Sequence, residues 1–198
     1  MRKKSIKLAA ATFVTNVDEI AAFTGRCTGP GGPLTDQDQS WAYDLAIIRV
    51  YREFEDLILS CLVALINSDT TTFSQVKGRN FPAHMNVEVC EYLICGDGYF
   101  DFSGRDGLIK TIKKVVLAAH WLPTIVSNAA YTDALKRLSA LRNFAAHDSA
   151  VSKKRALEAA GQERMSSSGA WLKKYHRFDA ICTSLKAMAN QIHAAAPY

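Results

Sequence analysis

Hydrophobic residues recur at intervals of three and four along most of the chain, and the alternation typical of a strand is almost absent. The apolar stripe from Ile6 to Ile20 predicts an amphipathic helix from about Ser5 to Phe23. A longer stripe predicts a second helix ending near residue 67, with Asp36 or Asp38 as its N-cap. The pattern therefore predicts an all-α fold built around one long spine helix.

Segments rich in glycine, proline and threonine separate the predicted helices. Gly25–Pro33 and Ser68–Pro82 are expected to be connections, and Tyr99–Phe102 to be extended or irregular. The shorter predicted helices span residues 87–95, 106–116, 132–146, 150–160 and 171–194.

Four residues mark expected boundaries of these shorter helices. The hydroxyls of Thr132 and Ser149 are predicted N-caps, because a side-chain oxygen there accepts from a free backbone N–H. Gly161 is expected to stop the helix before it, since glycine adopts the left-handed cap conformation without strain. Pro123 is expected to mark a break.

The size and composition of the chain favour one globular domain. It has 198 residues, of which 48% are hydrophobic and 22% charged, too apolar for a disordered chain. We expect residues 1–35 to form an N-terminal helix and a Gly/Pro loop, and residues 36–198 the core of a helical bundle. The longest apolar run, Leu57–Ile66, is about half of what a membrane-spanning helix needs, so no membrane partner is expected.

Cysteine usage points to a reducing compartment. The five cysteines are an odd number, so at least one thiol stays unpaired in a chain large enough to fold without disulfides. No Cys-x-x-Cys pair or other ligand spacing is present, so neither a metal nor a cofactor is expected. The basic residues near Met1 precede a short apolar run that leads into Asn16 and Asp18, unlike a signal peptide. A cytoplasmic location is therefore expected.

Positive charge is concentrated in the second half of the chain. Residues 1–104 carry 9 Lys and Arg against 13 Asp and Glu, whereas residues 105–198 carry 15 against 6. A basic half of this kind attracts polyanions such as RNA through release of counterions. From charge alone, an ordinary set of solvated helix faces is an equally good interpretation.

One string carries candidate chemistry: residues 141–148 read LRNFAAHD. Arg142 and His147 are five residues apart, about 140° around an ideal helix, so an unbroken helix would not aim both at one target. We therefore expect the helix to end here, with Asp148 and Ser149 available to cap the next one and His147 free to swing toward Arg142. By itself such a pair also occurs by chance in helical proteins.

The string resembles the Arg-x4-His motif of HEPN domains, and Asn143 supplies the polar residue that fits directly after the arginine. The resemblance extends from about Trp41 to Ile192. It includes a long early helix, the Gly98–Phe100 segment, the motif helix, a capped helix and a closing helix. The chain is most similar to the stand-alone RiboL-PSP-HEPN group.

The resemblance implies a helical bundle that dimerises with its two motifs facing each other. It further implies a metal-independent endoribonuclease, often a toxin or anti-phage effector restrained by a partner protein. In such a site His147 and its mate are general base and general acid, because imidazole exchanges protons near neutral pH. Arg142 of each chain clamps the scissile phosphate, and Asn143 holds the phosphate or orients a histidine.

Two other functions remain open from the sequence. A catalytically silent HEPN module would bind RNA, a nucleotide or a protein partner, and a purely structural helical adaptor would leave the basic half unexplained. Glu55 on the long helix either faces the motif and pairs with Arg142 or is an ordinary surface carboxylate. It is not placed in the catalytic set.

Overall fold

The structure, a computed structural model, describes residues 3–29 and 31–197; Pro30, within the predicted Gly25–Pro33 connection, lies outside this part together with Met1, Arg2 and Tyr198. The described part is helical and contains no strand, which confirms the predicted all-α class. Its helices are α1 (Ile6–Thr28), α2 (Asp36–Ser68), α3 (Thr71–Lys77), α4 (Val87–Cys95), α5 (Gly104–Lys113), α6 (Trp121–Ser127), α7 (Thr132–His147), α8 (Ala150–Ala160), α9 (Ser168–Leu172) and α10 (Arg177–Ala195).

The predicted spine helix is confirmed as α2, which has 33 residues and is therefore about 50 Å long. It packs against α1, α4, α7 and α9, and α10 packs against α1, α6 and α7. Val50, Phe54 and Ile58 are completely buried at the centre of α2. Their burial removes an apolar stripe from water, which stabilises the arrangement of the other helices around this one.

The caps of α2 and α7 differ from the prediction. Thr35, not Asp36 or Asp38, is the N-cap of α2: its hydroxyl accepts from the Asp38 N–H, and the Asp38 carboxylate accepts from the Thr35 N–H. This reciprocal capping box uses Asp38 at its third position. Thr132 is the first residue of α7 and makes no cap, because a turn of 3-10 helix runs directly into it.

One predicted interruption is absent, and the break expected at Pro123 falls just before it, between α5 and α6. α1 continues past Phe23 and through Gly25 to Thr28, since one glycine costs a helix only about 1 kcal/mol. Pro123 lies in the first turn of α6, where its missing N–H would have no helical acceptor in any case. The predicted connection Ser68–Pro82 contains a short helix, α3.

The predicted closing helix is divided in two. α9 ends at Leu172 and α10 begins at Arg177, with Tyr175 and His176 at φ 57° and 54° between them. α9 lies directly against the start of α2: the Gly169 N–H donates to Asp44 Oδ1 at 2.6 Å. A Cβ atom at Gly169 would overlap the Ser40 carbonyl oxygen, so only glycine permits this approach.

All five cysteines are unpaired thiols. Among residues 3–29 and 31–197, no single helix has the length and apolarity to cross a membrane; α2 and α3 meet that test only as a pair bent by 102°.

Candidate functional site

The motif residues lie at the C-terminal end of α7, which includes His147, so the expected swing of this residue out of the helix toward Arg142 is absent. Asp148 follows in the left-handed conformation, with φ 40°, and Ser149 then caps α8 by accepting from the Ser152 N–H. His147 is itself helical, so the sharp turn falls one residue later than expected. Arg142 and His147 of one chain therefore point in directions about 140° apart.

Arg142 is half-buried and held in place within its own chain. Its guanidinium carbon lies 4.5 Å from the centroid of the Tyr51 ring, a cation–π contact between α7 and α2. Its Nη1 donates to Asn143 Oδ1 at 2.8 Å. Asn143 thus orients the arginine in this structure, a role that the sequence did not suggest for it.

The tyrosine under Arg142 is fixed by the segment before α5. The Tyr51 hydroxyl lies 3.2 Å from the Phe102 carbonyl oxygen and 3.4 Å from Asp101 Oδ1. Burial raises the pKa of Tyr51 far above its usual value, and the negative charges of Glu55 and Asp101 raise it further. The hydroxyl therefore stays protonated and serves as a hydrogen-bond donor.

Glu55 lies one helical turn after Tyr51 on α2, and its pKa responds to the charge of Arg142. The two side chains form no ion pair with each other, so the pairing that the sequence left open is absent. Burial raises the pKa of Glu55 to about 7, the positive charge of Arg142 opposes this shift, and the carboxylate of Asp101 adds to it. At neutral pH the group is therefore divided between its acid and its base forms. This property makes Glu55 a candidate for proton exchange beside the motif.

His147 is exposed to solvent, unlike the half-buried Arg142. Its end of α7 lies beside the first turns of α2. Burial raises the pKa of Asp44, the bond from the Gly169 N–H lowers it, and the nearby Asp148 carboxylate raises it again. Trp41 and Leu45, about 60° and 100° around α2 from Asp44, are 57% and 69% exposed and line a groove between α2 and α1.

The other histidines lie outside this arrangement. His120 caps α6 by accepting from the Leu122 N–H, His176 lies 3.2 Å from Asp179, and His84 and His193 are exposed. In the described part of the chain, no three His, Cys, Asp or Glu side chains are grouped in a way that would hold a metal ion.

The structure thus brings Arg142 and Asn143 together with Tyr51, Glu55 and Asp101 and leaves His147 apart at the helix end. The contribution of Tyr51 and Asp101 was not anticipated from the sequence. No known protein family, curated protein or solved structure matches this chain, so the HEPN resemblance rests on the motif and the order of elements around it.

Proposed function

We propose that this protein is a metal-independent endoribonuclease of the HEPN type, acting as a homodimer whose two α7 motifs face each other. The proposal rests on the arrangement of two side chains at the C-terminal end of α7. There an exposed imidazole, His147, follows a half-buried guanidinium, Arg142, that Tyr51 and Asn143 hold in position. This arrangement leaves the histidine free to meet a substrate and keeps the arginine rigid.

The chemistry requires these groups. When the 2'-hydroxyl of RNA attacks the neighbouring phosphorus, a base must remove its proton and an acid must protonate the departing 5'-oxygen. Positive charge must stabilise the phosphorane that forms between these events. In the proposed reaction His147 and its mate move the two protons, while Arg142 stabilises the added negative charge. The products are a 2',3'-cyclic phosphate and a 5'-hydroxyl.

A second copy of the chain supplies what one copy lacks. One chain has a single motif histidine, and Arg142 of that chain points about 140° away from it. A two-fold axis beside α7 would place two imidazoles around one phosphate and let the arginine of each chain reach the junction. The exposed Trp41 and Leu45, on the α2 surface between Asp44 and the α1 groove, provide an apolar surface that such a dimer would bury.

Glu55 adds a titratable group that changes the charge next to Arg142 in the proposed site. Its carboxyl shares the half-buried environment of Arg142 and is only partly ionised at neutral pH. A neutral Glu55 leaves the positive charge of Arg142 available to the phosphate. An ionised Glu55 would compete for that charge, so activity is expected to decline as this group loses its proton.

The test is cleavage of an RNA oligonucleotide by the purified protein in EDTA, with the ends of the products identified by mass spectrometry. We expect cyclic-phosphate or 3'-phosphate ends and no cleavage where a 2'-deoxy residue replaces the scissile ribose. His147→Ala should be inactive, whereas His84→Ala, which removes an exposed histidine elsewhere, should cut normally. Equal cutting by both variants, or cutting of the deoxy substrate, would refute the proposal.

A second candidate function is a catalytically silent module that binds RNA, a nucleotide or a protein. The observation in its favour is that the Arg142 guanidinium is already engaged by Tyr51 and Asn143 within its own chain, as a purely structural arginine would be. RNA binding without product would support this alternative. If cleavage is found, we propose a toxin or anti-phage effector that a partner protein restrains.

A further inference from the structure

We propose that the cleft between α5, α7 and α8 is the track that binds the phosphates of the RNA strand on its way to His147. The cleft has a volume of about 430 Å³ and is lined by residues of these three helices and by Ser103 before α5. The inference rests on the proposed function for the identity of the polyanion. It concerns a surface that adjoins the Arg142 site and shares Asn143 with it.

Positive charge dominates the lining of this cleft. Lys136 from α7, Arg155 from α8 and Arg105 from α5 contribute to it, against the single carboxylate of Glu158. Lys136 and Arg155 are exposed, and neither forms an ion pair with any residue in the described ranges. Their charges are therefore available to phosphates, and the counterions that they release would favour binding.

Arg105 has its two terminal nitrogens engaged, and its Nε is buried without a hydrogen-bond partner in the described part of the chain and so is inaccessible to a phosphate. Its Nη2 donates to the Ser127 carbonyl oxygen, and its Nη1 lies 3.6 Å from Asp106. These contacts fix the guanidinium at the side of the cleft. We therefore assign direct phosphate contacts to Lys136 and Arg155 and only a background charge to Arg105.

Neutral donors complete the lining. Ser103 and Ser139 present hydroxyls, and Ser103 precedes α5 without capping it through its side chain. The N-terminus of α5 adds little positive charge at this side, because the Gly104 N–H donates to the Phe102 carbonyl and Asp106 lies in the first turn. No aromatic ring lines the cleft, so it would hold the backbone of the strand and tolerate any base sequence.

Helix geometry connects the cleft to the motif. Lys136, Asn143 and His147 lie on one stripe of α7, because steps of seven and four residues return to nearly the same face. The stripe is about 16 Å long. Asn143 both lines the cleft and accepts from Arg142, so a strand whose phosphates occupy the cleft arrives at the motif.

The test is binding of a fluorescent single-stranded RNA by anisotropy over a range of salt concentrations, in protein that carries His147→Ala to prevent cleavage. Lys136→Ala with Arg155→Ala should weaken binding at least tenfold. Loss of two phosphate contacts should also lower the slope of log affinity against log salt by about 1.4. The matched control is Lys7→Ala with Lys77→Ala, which removes two exposed charges from α1 and α3.

Equal affinity and an equal salt slope in the cleft variant and the control variant would overturn the cleft assignment, as would a parent protein that does not bind RNA. Cleavage by the otherwise unmodified protein is measured in parallel. If the protein cleaves RNA but the cleft substitutions do not weaken RNA binding, the cleft assignment is refuted and the proposed nuclease activity is supported. Cleft-dependent binding without cleavage supports the track and refutes the nuclease.

Discussion

Replacing Glu55 by glutamine is expected to change how the stability of the protein depends on pH. In the folded protein burial raises the pKa of this carboxyl to about 7, whereas its ordinary value is 4.5. Below pH 4.5 the carboxyl is largely protonated in both the folded and the unfolded protein. It then has little effect on the free energy of unfolding. As pH rises from 4.5 to about 7, the unfolded chain ionises while the folded carboxyl remains largely protonated, so stability that is present in acid is lost.

The magnitude follows from the same two values. A tenfold difference in proton affinity corresponds to about 1.4 kcal/mol. If the whole pKa difference acted on stability, the free energy of unfolding would fall by roughly 3 kcal/mol. Glu55 is only half-buried, and solvent screening reduces this to about 1–2 kcal/mol. Glutamine cannot ionise. The Glu55→Gln variant should therefore be more stable than the parent by that amount at pH 8 and by no more than a few tenths at pH 4.5.

The assay is urea unfolding followed by circular dichroism at several pH values between 4.5 and 8. Glu19→Gln, which removes an exposed carboxylate from α1, is the matched control and should show no such trend. If the stability difference between Glu55→Gln and the parent is constant across this range, or largest in acid, the electrostatic description of the site is wrong.

Three further changes test other parts of the account. Arg142→Lys keeps the charge but loses the planar group that lies over Tyr51, so RNA cleavage should fall at least tenfold with the fold retained; unchanged cleavage would contradict the proposed clamp. Leu45→Glu should convert a dimer to a monomer by light scattering and abolish cleavage, and an active monomer would refute the composite site. Gly169→Ala should lower the free energy of unfolding by about 3 kcal/mol or more, because the new methyl group meets the Ser40 carbonyl; a neutral result would contradict the close packing of α9 on α2.

Much of the fold could be predicted from the sequence because its signals are local. The apolar stripe of α2 from Trp41 to Ile66 extends over about seven turns, and the ends of α8 follow from the hydroxyl of Ser149 and the freedom of Gly161. The break between α9 and α10 could not be predicted in this way. Tyr175 and His176 adopt positive φ without a glycine, so tertiary packing and not local preference sets the chain direction there.

The candidate site was accessible to sequence reasoning only in part. Arg142, Asn143 and His147 form a contiguous string that resembles a known motif. Tyr51 and Asp101 join them only because α7 packs on α2 and the segment before α5 closes over the tyrosine hydroxyl. No local pattern reports such long-range contacts, and the same contacts raise the pKa of Glu55 from that of an ordinary helix carboxylate.

The central claim is that two copies of α7 cut RNA with their own side chains. Its most direct test is the rate at which purified protein degrades total cellular RNA in the presence of EDTA, measured beside the His147→Ala variant. We expect the parent to cut, and loss of the general acid and base to slow cutting by about a hundredfold or more. Equal rates for the two proteins would contradict the account.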